Sequence, residues 1–299
     1  MRRTMCAALA LAVMVTVGLS PALPQGGGQA RGGRGGGGQF GDRLDVRNME
    51  NPIPVFDSVW IEELTMMEVR DFIKTGKTNA LILTGGIEEN GPYLATGKHN
   101  YVLEAMGESI AREMGNTLVA PIVRLEPGDP ERKNISPGTI YLSRDTFKAV
   151  MRDMATSLKS QGFTDIFIMG DSGGNRGPME EVAGELTASW GDGPAHVYFI
   201  PEYYNYADVR TFEEEELGIH EVMEGLHDDY YISSIMMNTD LNSVRTNERI
   251  QSGKFIINGV SLAPVEKTLA NGRKIIAFRT EATVTAMRKA MGAPTSNQK

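Results

Sequence analysis

The sequence predicts an α/β fold of three layers, α/β/α, with a mostly parallel sheet between two layers of helices. Short apolar runs alternate with segments in which apolar residues recur at helical spacing, and this alternation is typical of parallel sheets covered on both faces. The run at 79–84, Asn-Ala-Leu-Ile-Leu-Thr, ends in two glycines. A run of this kind indicates a strand buried on both faces.

Further strands are predicted at 117–123, 163–169 and 197–200, and helices at 61–74, 101–114, 144–161 and 178–190. The helix at 144–161 has the clearest pattern. Ser143 can cap its N-terminus, Gly162 ends it, and its methionines lie on the apolar stripe, which indicates core packing. The ligand sites of such sheets lie outside the carboxyl ends of the strands, so the turns that follow 79–84 and 163–169 are the places to look for chemistry.

Composition excludes several classes of protein. The chain has 299 residues, of which 41% are hydrophobic and 23% charged, so a sizeable core is expected and wholesale disorder is excluded. The net charge is -8, and every acidic residue follows Gly41, which argues against a nucleic-acid partner. Cys6 is the only cysteine, so a disulfide framework or a cysteine-based site in the folded part is excluded.

The N-terminus has the pattern of a secretory signal peptide. Arg2 and Arg3 precede an apolar run at 5–19, and Pro21 follows it. The run is shorter than the about 20 apolar residues of a spanning helix, so no stable membrane anchor is predicted. We expect a signal peptide at 1–25, a Gly-rich flexible linker at 26–49 and a single α/β domain at 50–299, secreted or periplasmic after cleavage.

A first segment with possible chemistry follows the strand at 79–84. There, Glu88, Asn90 and His99 fall in a loop rich in glycine and proline. A carboxylate and an imidazole are suitable ligands for one divalent ion. Alternatively, Glu88 is a solvated loop charge and His99 merely begins the next helix.

A second segment, Gly-Asp-Ser-Gly-Gly-Asn at 170–175, matches the nucleophile motif of trypsin-like proteases in its letters. The α/β alternation and the lack of cysteines in the body exclude that fold. A metal-free serine hydrolase with Ser172 as nucleophile and His227 as base stays open. Otherwise the segment is a Gly-rich turn in which Asp171 caps the next helix.

A third segment begins at His227 and continues with Asp228 and Asp229. One imidazole beside two carboxylates suits a general acid/base or a hard metal ion. An Asp-rich helix start stabilised by the helix dipole is the alternative.

These segments, in this order, resemble the motifs of the creatininase family, the creatinine amidohydrolases. The family's first motif, Gly-Ser-x-Glu-Gln-His-Gly-Pro-His-Leu-Pro, resembles Gly-Gly-Ile-Glu-Glu-Asn-Gly-Pro-Tyr-Leu-Ala at 85–95. Its Phe-Pro-Gly-Thr-Ile-Ser-Leu resembles 136–142, its Asn-Gly-His-Gly-Gly-Asn resembles 170–175, and its His-Ala-Gly-Glu-x-Glu-Thr-Ser resembles 227–234. The resemblance covers residues 60–240 and implies a creatininase-like fold.

The resemblance also implies site residues. Glu88 matches a family metal ligand, and His227 matches the catalytic histidine. Asn90 and Ser172 stand where the family has ligand histidines, and His99 stands at the bridging aspartate. The set we derive has His227 and Asp228 as catalytic residues, Asn90, Tyr93 and Ser172 as substrate contacts, and Glu88, His99, Asp171 and Asp229 as metal ligands.

The sequence therefore predicts an exported metal-dependent hydrolase that acts on a C–N bond of a small polar amide or cyclic amide. One divalent ion per subunit, Zn²⁺ or Mn²⁺, would activate water and polarise the carbonyl. Family resemblance implies a homo-oligomer. Two alternatives remain, a non-catalytic binding or assembly protein of the same fold and the serine hydrolase that uses Ser172.

Overall fold

The computed structural model describes residues 47–292. The predicted signal peptide and most of the predicted Gly-rich linker lie outside the described residues. The strands are β1 (Asn79–Thr84), β2 (Thr117–Val119), β3 (Glu126–Pro127), β4 (Tyr141–Leu142), β5 (Asp165–Gly170), β6 (His196–Phe199), β7 (Ile256–Ile257) and β8 (Val260–Ser261).

Helices account for most of the remaining chain. The α-helices are α1 (Met66–Lys74), α2 (Lys98–Met114), α3 (Arg144–Gln161), α4 (Arg176–Trp190), α5 (Tyr206–Glu216), α6 (Tyr230–Thr239), α7 (Thr246–Gln251) and α8 (Val265–Ala290). Short 3₁₀ segments cover Ile61–Glu63, Gly173–Asn175, Pro201–Tyr203 and Leu241–Val244. Within the described range, no helix is both long and apolar enough to span a bilayer.

The central sheet has four parallel strands in the order β2-β1-β5-β6. The chain leaves β1 for β2 at one edge and later returns to β5 on the other side of β1. In the register of β1 and β5, Thr84 lies opposite Gly170, so both strands end at the same level. A reversal of strand order of this kind opens a crevice at the carboxyl ends, which is where parallel sheets bind ligands.

Helices cover both faces of this sheet, which confirms the predicted fold class. Alternate residues of β1 enter different cores, with Leu81 and Leu83 in one and Ala80 and Ile82 in the other. The first core also contains residues of α2, α6 and α8, whereas α3, α4 and the apolar side of α1 pack in the second. The strand at 79–84 is therefore buried on both faces, as its continuous apolar run predicts.

The predicted elements differ from the observed ones mainly at their ends. Helix α3 has the predicted bounds, with the Ser143 side chain accepting a hydrogen bond from the Thr146 amide and Gly162 in the left-handed region. The predicted helix at 61–74 is divided because Thr65 forms a capping box that starts α1. Helix α2 begins at Lys98, three residues before the predicted start, and its first turn therefore lies in the crevice region.

Candidate active site

The loop after β1 and the turn after β5 form the base of the crevice. They can approach closely because residue 170 is glycine, since a Cβ there would lie 2.2 Å from Thr84 Oγ1. The Asn175 side-chain amide donates to the backbone oxygens of Thr84 at 3.1 Å and Gly85 at 2.8 Å. The two Gly-containing segments that the sequence singled out are thus held together.

His99 connects these two segments through both ring nitrogens. Its Nε2 lies 2.7 Å from Glu88 Oε1 and its Nδ1 lies 2.8 Å from Asp171 Oδ2. A neutral imidazole has only one N–H, so two carboxylate partners favour the imidazolium. Burial opposes the charge, but the hydrogen bonds to Asp171 and Glu88 outweigh it and raise the pKa of His99.

Asp171 is fully buried behind His99 and carries a negative charge there. Its Oδ1 accepts hydrogen bonds from Arg279 Nη2 at 3.1 Å and from the Tyr203 hydroxyl at 3.2 Å. Burial alone would raise the pKa of Asp171, but His99 and Arg279 together hold it well below its ordinary range. The alternative interpretation, in which Asp171 caps the following helix, is wrong, because its carboxylate binds His99 and Arg279 and caps no helix.

Glu88 has a second cationic partner in Lys98, whose Nζ lies 3.3 Å from Glu88 Oε1. Lys98 is fully buried, and its Nζ also donates to the backbone oxygen of His227 at 3.0 Å. Burial disfavours the Glu88 carboxylate, but His99 and Lys98 lower its pKa to about 2. Glu88 is therefore ionised throughout the physiological range.

A pocket of about 430 Å³ opens above this centre. Glu88, His99, Glu126, Ser172 and His227 line it, and its walls also include Arg132, Tyr141, Gly173, Gly174 and Tyr204. The Ser172 hydroxyl donates to Glu126 Oε2 at 2.5 Å, and burial raises the pKa of Glu126. The volume suits a small molecule.

His227 lines the pocket on a side that is partly open to solvent. Its side chain is 62% exposed, and its Nδ1 lies 3.5 Å from Glu88 Oε1. Partial burial, together with the charge of Lys98, lowers the pKa of His227 below its ordinary value. The imidazole is therefore neutral near pH 7, which is the state a general base requires.

Several predicted site residues lie elsewhere. The Asn90 side chain donates to the backbone oxygens of Glu88 and Ala95, so it braces the loop and does not line the pocket. The Tyr93 ring stacks against the Arg249 guanidinium, 4.4 Å from ring centroid to Cζ. Ser172 is the only one of the three predicted substrate contacts that reaches the pocket wall.

Neither of the two aspartates after His227 lines the pocket. Asp228 is buried near Arg249, and burial raises its pKa to about 6. Asp229 Oδ1 lies 3.7 Å from Arg210 Nη2, and the residue directly precedes α6. The structure therefore does not place Asp228 in the pocket, and it does not group Asp229 with Glu88 and Asp171 as metal ligands.

The predicted metal ligands do not fit a divalent ion as their side chains stand. Both nitrogens of His99, both oxygens of Asp171 and one oxygen of Glu88 are already bonded to protein groups. Across residues 47–292, no group of three or more histidine, cysteine or acidic side chains is arranged to hold a metal ion.

Sequence reasoning missed three residues of this centre. Lys98 directly precedes the predicted ligand His99, but no local pattern indicates that its side chain is buried beside Glu88. Glu126 precedes Pro127 in a two-residue strand, and no motif contains it. Arg279 lies within the 26-residue helix α8, 108 positions from the aspartate it contacts. A buried arginine in a long helix carries no local signal, although it implies a buried acidic partner.

The comparisons with known proteins identify the family of the chain and support its fold. The family model described as creatininase, creatinine amidohydrolase, matches residues 62–287, and the chain therefore belongs to the creatininase family. No curated protein sequence matches.

Solved structures are similar at the level of the fold. A structure described as creatininase Mn is 18% identical, with a TM-score of 0.56, and the match covers 78% of this chain and 98% of that one. A mutant creatininase of Zn-Zn type is 18% identical, with a TM-score of 0.57 and coverages of 79% and 99%. A creatinine amidohydrolase is 18% identical, with a TM-score of 0.53 and coverages of 81% and 100%.

Proposed function

We propose that the protein is an exported amidohydrolase-type enzyme that hydrolyses the C–N bond of a small polar amide, linear or cyclic. Family membership supports the reaction class. One observation carries the proposal for this chain. The neutral imidazole of His227 shares a pocket of about 430 Å³ with the Ser172–Glu126 pair and the ionised Glu88.

In the proposed reaction, His227 accepts a proton from water as the water oxygen bonds to the amide carbonyl carbon. His227 then returns that proton to the nitrogen as the C–N bond breaks, which leaves a carboxylic acid and an amine. Glu88 stabilises the transient imidazolium, since one of its oxygens lies 3.5 Å from His227 Nδ1.

Negative charge on the carbonyl oxygen of the substrate would be stabilised by backbone N–H groups of the turn that follows β5. Gly173 and Gly174 line the pocket at the start of the helical segment that continues into α4. The first N–H groups of a helix have no intrahelical partner and are suited to an oxyanion. The predicted Zn²⁺ or Mn²⁺ ion has no step here, because the atoms that would bind it are engaged with protein groups.

The test is hydrolysis of a panel of small linear amides, lactams and other cyclic amides, with product amine as the readout. We expect His227→Ala to lower the rate by about 10²–10⁴-fold, the usual contribution of general acid–base catalysis. His220→Ala is the matched control, since His220 is exposed and lies outside the pocket. If neither the parent nor the variants hydrolyse any amide, the binding-protein alternative gains support.

The pH profile gives a second readout of His227. Its lowered pKa predicts that the acidic limb of the rate profile falls below pH 6.5, the ordinary value for histidine. A limb centred above that value would contradict the assignment of His227 as base.

A serine hydrolase remains a second candidate because the Ser172 hydroxyl bonds to Glu126. The base in that reaction would be Glu126, whereas the sequence suggested His227. A fluorophosphonate probe that labels the parent but not Ser172→Ala would favour this candidate. Unchanged turnover in Ser172→Ala would favour the water mechanism.

Export and assembly are proposals from the sequence and the family resemblance. Mass spectrometry of the secreted or periplasmic protein is expected to show a new N-terminus near residues 23–26, and an intact Met1 would contradict export. Light scattering is expected to show a homo-oligomer, and a monomer at micromolar concentration would contradict it.

A further inference from the structure

Two consecutive cationic residues, Lys98 and His99, occupy the first turn of α2. Cations are disfavoured at a helix N-terminus because the helix dipole is positive there. That turn contains no acidic residue to offset them, and both side chains are buried. Their location is therefore costly for the helix alone and needs a reason outside it.

Their partners supply that reason. His99 connects Glu88, in the loop after β1, with Asp171, in the turn after β5. Lys98 connects the same Glu88 oxygen with the backbone oxygen of His227 in the third segment. Two side chains thus join all three segments from which the sequence predicted the ligands of a shared metal ion.

The local charge points the same way. Lys98, His99 and Arg279 place three cationic groups around the carboxylates of Glu88 and Asp171. The Glu88 oxygen that a divalent cation would bind already has Lys98 Nζ 3.3 Å away and His99 Nε2 2.7 Å away, so the cation would lie beside both groups. Like charges at such distances repel strongly in a partly buried site.

We propose that Lys98 and His99 take the place of a divalent ion in this site. They hold Glu88 against Asp171 and fix the His227 loop over the pocket, so the centre is assembled without metal. Lys98 does not line the pocket and is a positioning residue that acts through Glu88 and His227. The inference concerns the same site as the proposed hydrolysis, but its tests need no turnover.

The first test measures metal on the full chain. The protein is equilibrated with Mn²⁺ or Zn²⁺, desalted and analysed by mass spectrometry for metal content, and its thermal melting is recorded with and without EDTA. We expect no stoichiometric ion and no change in melting temperature with EDTA. One retained ion per chain, with a lower melting temperature in EDTA, would overturn the proposal.

The second test changes the charge at position 98. Burial and the charge of Lys98 both lower the pKa of His227, so Lys98→Met, which removes that charge, is expected to raise the pKa of the His227 imidazole measured by NMR. It is also expected to tighten Mn²⁺ binding by roughly tenfold or more, because a like charge beside Glu88 is lost. Lys98→Arg keeps the charge and is expected to retain the parent behaviour in both measurements.

Lys254→Met is the matched control, since Lys254 is exposed and lies outside the pocket. A Lys98→Met variant that matches this control in both measurements would overturn the proposal. If Lys98→Met does not fold, the metal measurement on the parent protein decides. Because neither test uses catalysis, a protein that fails to hydrolyse amides would leave both tests intact.

Discussion

Asp171 and Glu213 are both buried carboxyl groups, but their surroundings differ completely. Asp171 lies between Arg279, Tyr203 and His99, all of which hydrogen-bond to it. Glu213, on α5, is equally buried, and its Oε1 has no hydrogen-bond partner in the described part of the chain. Its charged neighbours are mostly acidic, namely Glu221, Asp229 and Glu214, with Arg210 as the opposing charge.

The same burial therefore has opposite results. Cationic partners keep Asp171 ionised, whereas burial, Glu221 and Asp229 raise the pKa of Glu213 to about 9. At neutral pH, Glu213 is protonated and adds little negative charge to the acidic side of α5. A cationic partner, and not exposure to solvent, therefore decides which of these two buried carboxyl groups is ionised.

The largest expected effect follows from removing the partner of Asp171. Arg279→Met leaves a buried carboxylate without its guanidinium, and loss of one member of a buried ion pair costs about 3–5 kcal/mol. We expect a decrease of that size in the free energy of unfolding, measured by urea denaturation. The effect is expected to persist at high salt because the pair is shielded from solvent.

A double variant separates lost charge pairing from lost packing. Arg279→Met combined with Asp171→Asn removes both charges, so we expect it to be more stable than Arg279→Met alone. If the stability losses of Arg279→Met and Asp171→Asn simply add in the double variant, the pairing of the two charges is not what stabilises Asp171.

The next effect concerns Glu213 and depends on pH. The pKa of Glu213 is about 9 in the folded chain, whereas in the unfolded chain it returns to the ordinary value of 4.5. Between pH 4.5 and pH 9, only the folded state therefore keeps this proton. With respect to this group, the free energy of unfolding is therefore greatest below pH 4.5. It decreases by about 1.4 kcal/mol per pH unit as pH rises towards 9.

Glu213→Gln removes this dependence while keeping a neutral side chain of similar size. We expect the variant to be more stable than the parent by about 3 kcal/mol at pH 7 and similar to it at pH 4, measured by urea denaturation. If the variant and the parent were equally stable at pH 7 as well as at pH 4, Glu213 would be ionised in the folded protein. Glu216→Gln, at an exposed position of the same helix, is the control.

Much of the sheet could be predicted because its signals are local. The run at 79–84 indicates burial on both faces by composition alone, and Ser143 and Gly162 mark the ends of α3. Strand ends were less predictable. The apolar run at 117–123 pairs as a strand only over Thr117–Val119, with an isolated bridge at Val123. Pairing depends on a neighbouring strand that the run itself does not specify.

The site was only half predictable, for a related reason. Five predicted residues follow strand ends or stand at positions of the creatininase motifs, and the structure brings them together. They are Glu88, His99, Asp171, Ser172 and His227. Their partners do not follow from local patterns. Whether His99 binds a metal ion or a carboxylate depends on Lys98 and Arg279, whose contacts form only after α2 and α8 pack on the sheet.

The smallest effect is expected at ion pairs that water already surrounds. Glu185 on α4 lies 2.7 Å from Lys148 Nζ and 2.6 Å from Arg152 Nη2 on α3, with a side chain that is 44% exposed. Both contacts lower the pKa of Glu185, as Arg279 does for Asp171. Solvent screens both exposed pairs of Glu185, however, and these charged groups are nearly as well hydrated in the unfolded chain.

We therefore expect Glu185→Gln to leave the urea midpoint unchanged within error at physiological salt. A loss approaching that of Arg279→Met would mean that the number of charged partners, and not burial, sets the strength of these pairs.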